Sequence, residues 1–264
     1  MRPPSAPAPA RTCAQGPAPP SSTTGTETTM RVLVTRPAHS AEKTAQRLRE
    51  MGHEPLLLPL RRPEHDGAAA AGALSATRGA IAVTSGEAVR VLSALGETLR
   101  PHLDRPIFAV GEVTAQAARR LGFRSVTASS GNGRDLADLV SAQSVEDLLY
   151  LAGRPRAETF EGRLRELGIH FSVAECYRML PVAPGPAEIA AIFSGHHPDA
   201  VLFYSRQTAE DFFQVAELRS ALSEQGGVRL LCLSEAVAEA IPTLLKETVT
   251  ISSMPDEISL LSLL

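Results

Sequence analysis

The chain of 264 residues contains no tryptophan, and Phe, Trp and Tyr together make up 4% of it. So few rings leave no stacking platform for nucleobases. An excess of one charge is missing too: 26 Lys and Arg stand against 29 Asp and Glu, for a net charge of −3 and a pI of about 6.2. That balance argues against nucleic-acid binding. No apolar run approaches the roughly 18–20 residues that span a bilayer, so no membrane contact is expected. Cysteines are few. Cys13, Cys176 and Cys232 are odd in number and widely spaced, which suits neither a disulfide framework nor a zinc site and fits a reducing cytoplasm. Cys176 and Cys232 lie in apolar strand-like runs, where inert buried thiols are expected. His196-His197 has no companion cysteine, and no His/Ser/Asp set is visible, so no metal site is expected.

What is present starts after a separate segment. Residues 1–29 hold seven Pro with many Ala, Ser and Thr, but no Leu, Ile, Val or Phe. Such a segment cannot bury enough apolar surface to order itself, and it lacks the apolar stretch of a signal peptide. A disordered extension, or a true start at Met30, is expected. From there strand-like and helix-like runs alternate. RVLVT (31–35) is β-branched and apolar, PAHSAEKTAQRLREMG has helical spacing and stops at Gly52, and EPLLLPL (54–60) reads as a further buried strand. Short connections between such runs predict parallel sheets covered by helices on both faces.

The second half replays the first. DLLYLAGRPRAETFEGRLRELGIHFSVAECY (147–177) follows the plan of residues 31–60, AVLFYSRQTAEDFFQV (200–215) that of AIAVTSGEAVRVLSAL (80–95), and LCLSEAVAEAIPTLL (231–245) that of FAVGEVTAQAARRLG (108–122). Two similar small α/β domains are therefore expected, with a ligand cleft between them.

Thr84-Ser85-Gly86 ends one of these strands. It lacks the first glycine of a nucleophile elbow, and no Walker loop occurs in the chain. Ser85 is either a plain N-cap or part of an anion-binding turn, and Ser205 is its counterpart. Gly111 permits close approach of a ligand, with Thr114 in the following first turn. Arg36, Arg154, Arg156 and Arg206 all fall where the carboxyl edge of a sheet is expected; there a guanidinium either binds carboxylate or is solvated surface charge. Tyr177 is either a hinge packing residue or a proton donor.

Taken in order, VLVTRP (32–37), LLPL (57–60), VTSGEAV (83–89), AVGEVTA (109–115), LLYLAGRPR (148–156), CYRMLP (176–181) and VLFYS (201–205) resemble the uroporphyrinogen-III synthase family over about residues 30–262. The resemblance implies two α/β domains joined by two extended linkers, with residues 30–61 belonging with 180–264 and residues 62–179 inserted between. It implies a cofactor-free closure of hydroxymethylbilane to uroporphyrinogen III, with inversion of the last pyrrole and loss of water. It also implies a monomer, with transient contact to hydroxymethylbilane synthase. The family's Tyr matches Tyr177, expected to donate a proton or position water. Its Thr-Ser turn matches Thr84 and Ser85, and its Gly-x-x-Thr turn matches Gly111 and Thr114; Arg36, Arg154, Ser205 and Arg206 are the further expected substrate contacts. The C-terminal copies depart from the pattern, with Tyr204-Ser205 in place of Thr-Ser and Ser234 and Val237 in place of Gly and Thr. A non-catalytic tetrapyrrole- or anion-binding paralogue is the alternative expectation.

Overall fold

A computed structural model describes Met1, residues 29–193 and residues 195–264. Nearly all of the expected N-terminal extension, Cys13 included, lies outside the described residues. The chain runs β1 (Arg31–Val34), α1 (Ala38–Glu50), β2 (Glu54–Leu57), β3 (Arg61–His65), α2 (Gly67–Ala76), β4 (Ala80–Val83) and α3 (Gly86–Ala94). It continues through β5 (Ile107–Val110), α4 (Glu112–Arg120), β6 (Val126–Ser129), α5 (Gly133–Ala142), β7 (Leu148–Arg154), α6 (Thr159–Glu166) and β8 (Phe171–Pro181). The last part holds α7 (Pro186–Phe193), β9 (Ala200–Phe203), α8 (Arg206–Gln214), α9 (Ala216–Gln225), β10 (Arg229–Cys232), α10 (Glu235–Ala238), β11 (Val249–Ile251) and α11 (Glu257–Leu261).

These strands form two sheets. A five-stranded sheet has the order β11-β10-β9-β1-β2, and a six-stranded one has the order β3-β8-β7-β4-β5-β6. Every pairing is parallel except that of β3 with β8. Apart from the extra β3, the two orders coincide once β1 is matched to β7, β2 to β8, β9 to β4, β10 to β5 and β11 to β6. The registers agree as well: Val32 faces Ala200 in one sheet as Leu148 faces Ala80 in the other. The repeat read along the chain is therefore a repeat of topology.

Both faces of each sheet are covered, which explains apolar runs without alternation. Leu33, Val201, Phe203 and Leu230 pack on one face of the five-stranded sheet, while Val32, Val34, Leu202 and Leu231 pack on the other. In the second sheet Ile81, Val83, Leu149 and Leu151 face one core, and Ala82, Leu148 and Tyr150 the other. α1 buries Ala41, Thr44, Ala45 and Leu48, the one-faced spacing of an amphipathic helix. It ends at Gly52, whose φ of 82° suits a residue without a Cβ.

The 54–60 run differs from expectation. Only Glu54–Leu57 is strand, and it is half-buried because β2 is an edge; Leu58 and Leu60 are fully buried beyond its end. There the chain leaves the first sheet. The two crossing segments then pair with each other, Arg61 opposite Pro181 and the Val182 N–H donating to the Leu60 carbonyl at 2.8 Å. The linkers are thus a two-stranded antiparallel ribbon continuous with the second sheet. Arg61 on this ribbon pairs with Asp211 of α8, tying it to the helices over the first sheet. Among the described residues no helix is long and apolar enough to cross a membrane.

Candidate active site

The turn after β4 is built by short-range bonds. Ser85 is extended, with φ −151° and ψ 146°, and its Oγ accepts the Glu87 N–H at 3.2 Å, so it caps α3. Thr84 Oγ1 lies 2.9 Å from the hydroxyl of Tyr150. Tyr150 is fully buried in β7 and stacks edge-on against Phe160 at 4.8 Å, so it holds Thr84 from below.

Tyr177 sits in β8 opposite Gly153 of β7 and His65 of β3. Its ring lies directly over Gly153: a Cβ there would stand 2.1 Å from Tyr177 Cζ and 2.4 Å from the hydroxyl oxygen. Only glycine leaves room for the phenol, and the ladder shifts register between Ala152 and Gly153. Tyr177 is 8% exposed. Burial pushes its hydroxyl up to about 12, against a smaller opposite effect of the Ser85 side chain, which lies within hydrogen-bonding reach. It therefore keeps its proton at neutral pH. Next to it His65 Nε2 is 3.0 Å from Glu87 Oε2, and Arg90 donates to Glu87 Oε1 at 2.7 Å.

The turn after β5 depends on backbone. Gly111 has φ 73° and ψ 148°, a conformation nearly confined to glycine, and nothing lies within 4 Å of where a Cβ would point. The dihedral angle, not crowding, demands this glycine. Thr114 is buried in the first turn of α4 rather than presented to solvent.

Each guanidinium expected to meet substrate already has a carboxylate. Arg36 donates to Glu257 at 2.7 Å and lies 4.0 Å over the Tyr204 ring, whose hydroxyl donates to the same Glu257 at 3.0 Å. Arg154 and Arg156 share Glu175 at 3.0 and 2.8 Å, and Arg156 also meets Glu161 at 2.6 Å. Arg206 bridges Glu210 and Glu239 at 2.9 and 3.0 Å. Arg36 with Glu257, Arg206 with Glu239 and the shared Glu175 join positions distant in the chain, which hides them from a reading of spacing, whereas Arg206–Glu210 and Arg156–Glu161 are local. His65, Glu87 and Gly153 are functional candidates that such a reading misses; only a glycine inside a strand run hinted at the last of them.

A cavity of about 430 Å³ reaches Glu87 and Arg90 of this cluster, while Tyr177, Ser85, Gly111 and the four strand-end arginines are not among its lining residues. It is lined by Pro37, Ala38 and His39 after β1, by Glu87 and Arg90 after β4, and by Pro59, Arg61–Pro63 and Val182 of the ribbon. The carboxyl edges of the two sheets thus open on one space, floored by the linkers. A second cavity, about 360 Å³, contains Arg105, but that guanidinium is spent on the carbonyls of Gly79, Leu74 and Thr77. Cys176 and Cys232 are buried free thiols, both pushed up to about 12 by desolvation. Among the described residues no group of three or more His, Cys, Asp or Glu gathers closely enough to hold a metal ion.

Two similar open α/β sheets whose carboxyl edges face one cavity define an α/β protein built of two similar halves. A family model described as uroporphyrinogen-III synthase HemD matches residues 42–262. The chain belongs to the uroporphyrinogen-III synthase family. Its activity is that of a cyclising lyase of tetrapyrrole biosynthesis, closing hydroxymethylbilane to uroporphyrinogen III. Among solved structures it is similar to uroporphyrinogen-III synthetase from Helicobacter pylori, with a TM-score of 0.61 at 17% identity over 89% of this chain and 97% of that one. A mutant uroporphyrinogen III synthase from the extremely thermophilic bacterium Thermus thermophilus gives 0.53 at 22% identity, over 88% and 96%. At such identities the likeness concerns the fold. None of the curated proteins compared matches the chain.

Proposed function

We propose that hydroxymethylbilane is folded for closure in the cleft between the two carboxyl edges, with Tyr177 meeting the departing hydroxyl. One observation carries this reading: the segment after β1 and helix α3 after β4, from different sheets, line a single cavity whose floor is the linker ribbon, and Glu87 in that lining is bonded to His65, the ladder neighbour of Tyr177. The strand membership of the sheets supports a division into residues 30–61 with 180–264, and 62–179.

The chemistry asks little of the protein beyond placement. The pyrrole nitrogen expels the hydroxyl, which leaves as water once it has taken up a proton, and an azafulvene forms. Closure through a spiro intermediate then has to outrun direct closure to the symmetric isomer, so orientation is the main demand. Tyr177, still protonated at neutral pH, is a hydrogen-bond donor to the leaving oxygen. Carboxylates of the substrate would be met by the amides of the Thr84, Ser85 and Gly111 turns, beside Thr114 and Ser205. Arg36, Arg154 and Arg206 contribute by exchanging a protein carboxylate for one of the substrate's. A monomer in the cytoplasm, in transient contact with hydroxymethylbilane synthase, belongs to the same reading, because the linear substrate closes spontaneously when left free.

Incubation with freshly made hydroxymethylbilane tests it: isomer III is expected, and isomer I alone would refute it in favour of the binding paralogue. Tyr177→Phe is expected to lower kcat by about a hundredfold, and Ser85→Ala by less, because the backbone amides survive. Equal losses would contradict the role given to the turn.

A further inference from the structure

The surroundings of Tyr177 close into a ring of contacts that the chemistry above does not use. Tyr177 of β8 stands opposite His65 in the ladder. His65 reaches Glu87 of α3, whose own N–H is donated to Ser85 Oγ. An acid in the first turn of a helix ordinarily serves the helix dipole from the surface. Glu87 instead is 8% exposed and turned onto β3. A carboxylate so buried needs compensating donors, and it has two, His65 on one oxygen and Arg90 on the other. His39 of α1 and the Tyr177 hydroxyl are further titratable groups within its field, and Arg61, Arg62 and Glu188 line the same cavity.

The ring of Tyr177 needs such support. It lies over a glycine, so its partner in the β7 ladder offers no side chain against it, and it sits where the ladder changes register. We propose that Glu87 and His65 are positioning residues for ring closure: their pair clamps the Thr84–Glu87 turn against the ribbon carrying Tyr177 and so aims the phenol at the leaving hydroxyl. This rests on the reading of Tyr177 given above. Glu87 touches the cavity, yet its carboxylate acts through Tyr177 and not on the substrate.

The test uses Glu87→Gln, His65→Gln and their double variant in the full chain, each also combined with Tyr177→Phe, with a thermal melt for each. Glu87→Gln is expected to lower kcat for isomer III about tenfold with KM within about twofold, and the double variant to be no slower than the slower single. In the Tyr177→Phe background, Glu87→Gln should change kcat by less than about twofold, an absence of effect that a general loss of stability does not produce. A folded Glu87→Gln with unchanged kcat, or an undiminished loss in the Tyr177→Phe background, overturns the proposal. Should Glu87→Gln fail to fold, His65→Gln carries the same test, since that side chain is 31% exposed on the ribbon. A wild-type chain making isomer I alone defeats the functional reading instead; isomer III with an indifferent Glu87→Gln defeats only this inference.

Discussion

The turns after β4 and β9 differ in three of their residues and keep one structure, whereas the turns after β5 and β10 have diverged in both. Ser85 and Ser205 have nearly the same dihedral angles, −151°/146° and −148°/148°, and each caps its helix at 3.2 Å, to Glu87 N–H and Thr208 N–H. Gly111 at φ 73° opens a helix of nine residues, α4, while Ser234 at φ −159° opens one of four, α10, with no side-chain cap. A cap survives substitution around it because one oxygen does the work. A left-handed turn does not, because only glycine adopts it without strain. The proposed site is just as uneven: among the described residues Tyr177 over Gly153 has no counterpart in the first sheet, where Arg36 is locked to Glu257 and Tyr204.

This asymmetry can be pressed hardest at Gly153. Gly153→Ala should displace the Tyr177 ring, reduce isomer III formation by about a hundredfold or more, and cost about 1–3 kcal/mol in denaturant unfolding. Activity near wild type would mean that Tyr177 is packing alone. Next comes the glycine turn: Gly111→Ala is expected to destabilise by about 1–3 kcal/mol, and Ser234→Ala by less than about 0.5 kcal/mol, so similar melting temperatures would erase the contrast. The two caps should behave alike. Ser85→Ala and Ser205→Ala each remove about 1 kcal/mol, with a larger fall in kcat for Ser85. A further effect appears only at alkaline pH and is absent under assay conditions near neutrality. Tyr177, Cys176 and Cys232 hold their protons to about 12 when folded, against 10.0 and 9.0 ordinarily. The folded state thus binds more protons at high pH, so stability is full below about pH 9 and declines from there toward 12. A melting temperature flat to pH 11 would contradict this burial.

Much of the fold was legible along the chain. The apolar runs that mark β1, β4, β7 and β9 are buried on both faces, and Ser85, Gly52 and Gly111 sit at the turns their residue types suggest. β2 is shorter than the 54–60 run suggests, because a run of Leu and Pro does not tell a central strand from an edge strand followed by a linker. The candidate site was legible only in part. Tyr177 and the Thr84-Ser85 turn stand out by pattern, but a guanidinium at a strand end does not show which acid it meets: Arg36 takes Glu257, 221 positions away, whereas Arg206 takes Glu210, four positions away.

Sequence alone therefore determined the alternation of strands and helices, the internal repeat and the form of each turn. Those features rest on apolar periodicity and on bonds between residues two to four positions apart, and such neighbours meet in almost any tertiary setting. The tertiary structure decided which sheet a strand joins, that the crossing segments pair as a ribbon, and that His65, Glu87, Ser85, Gly153 and Tyr177 gather at one place. Contacts between distant positions leave no local trace, and only the packing of both sheets brings their carboxyl edges onto a shared cavity.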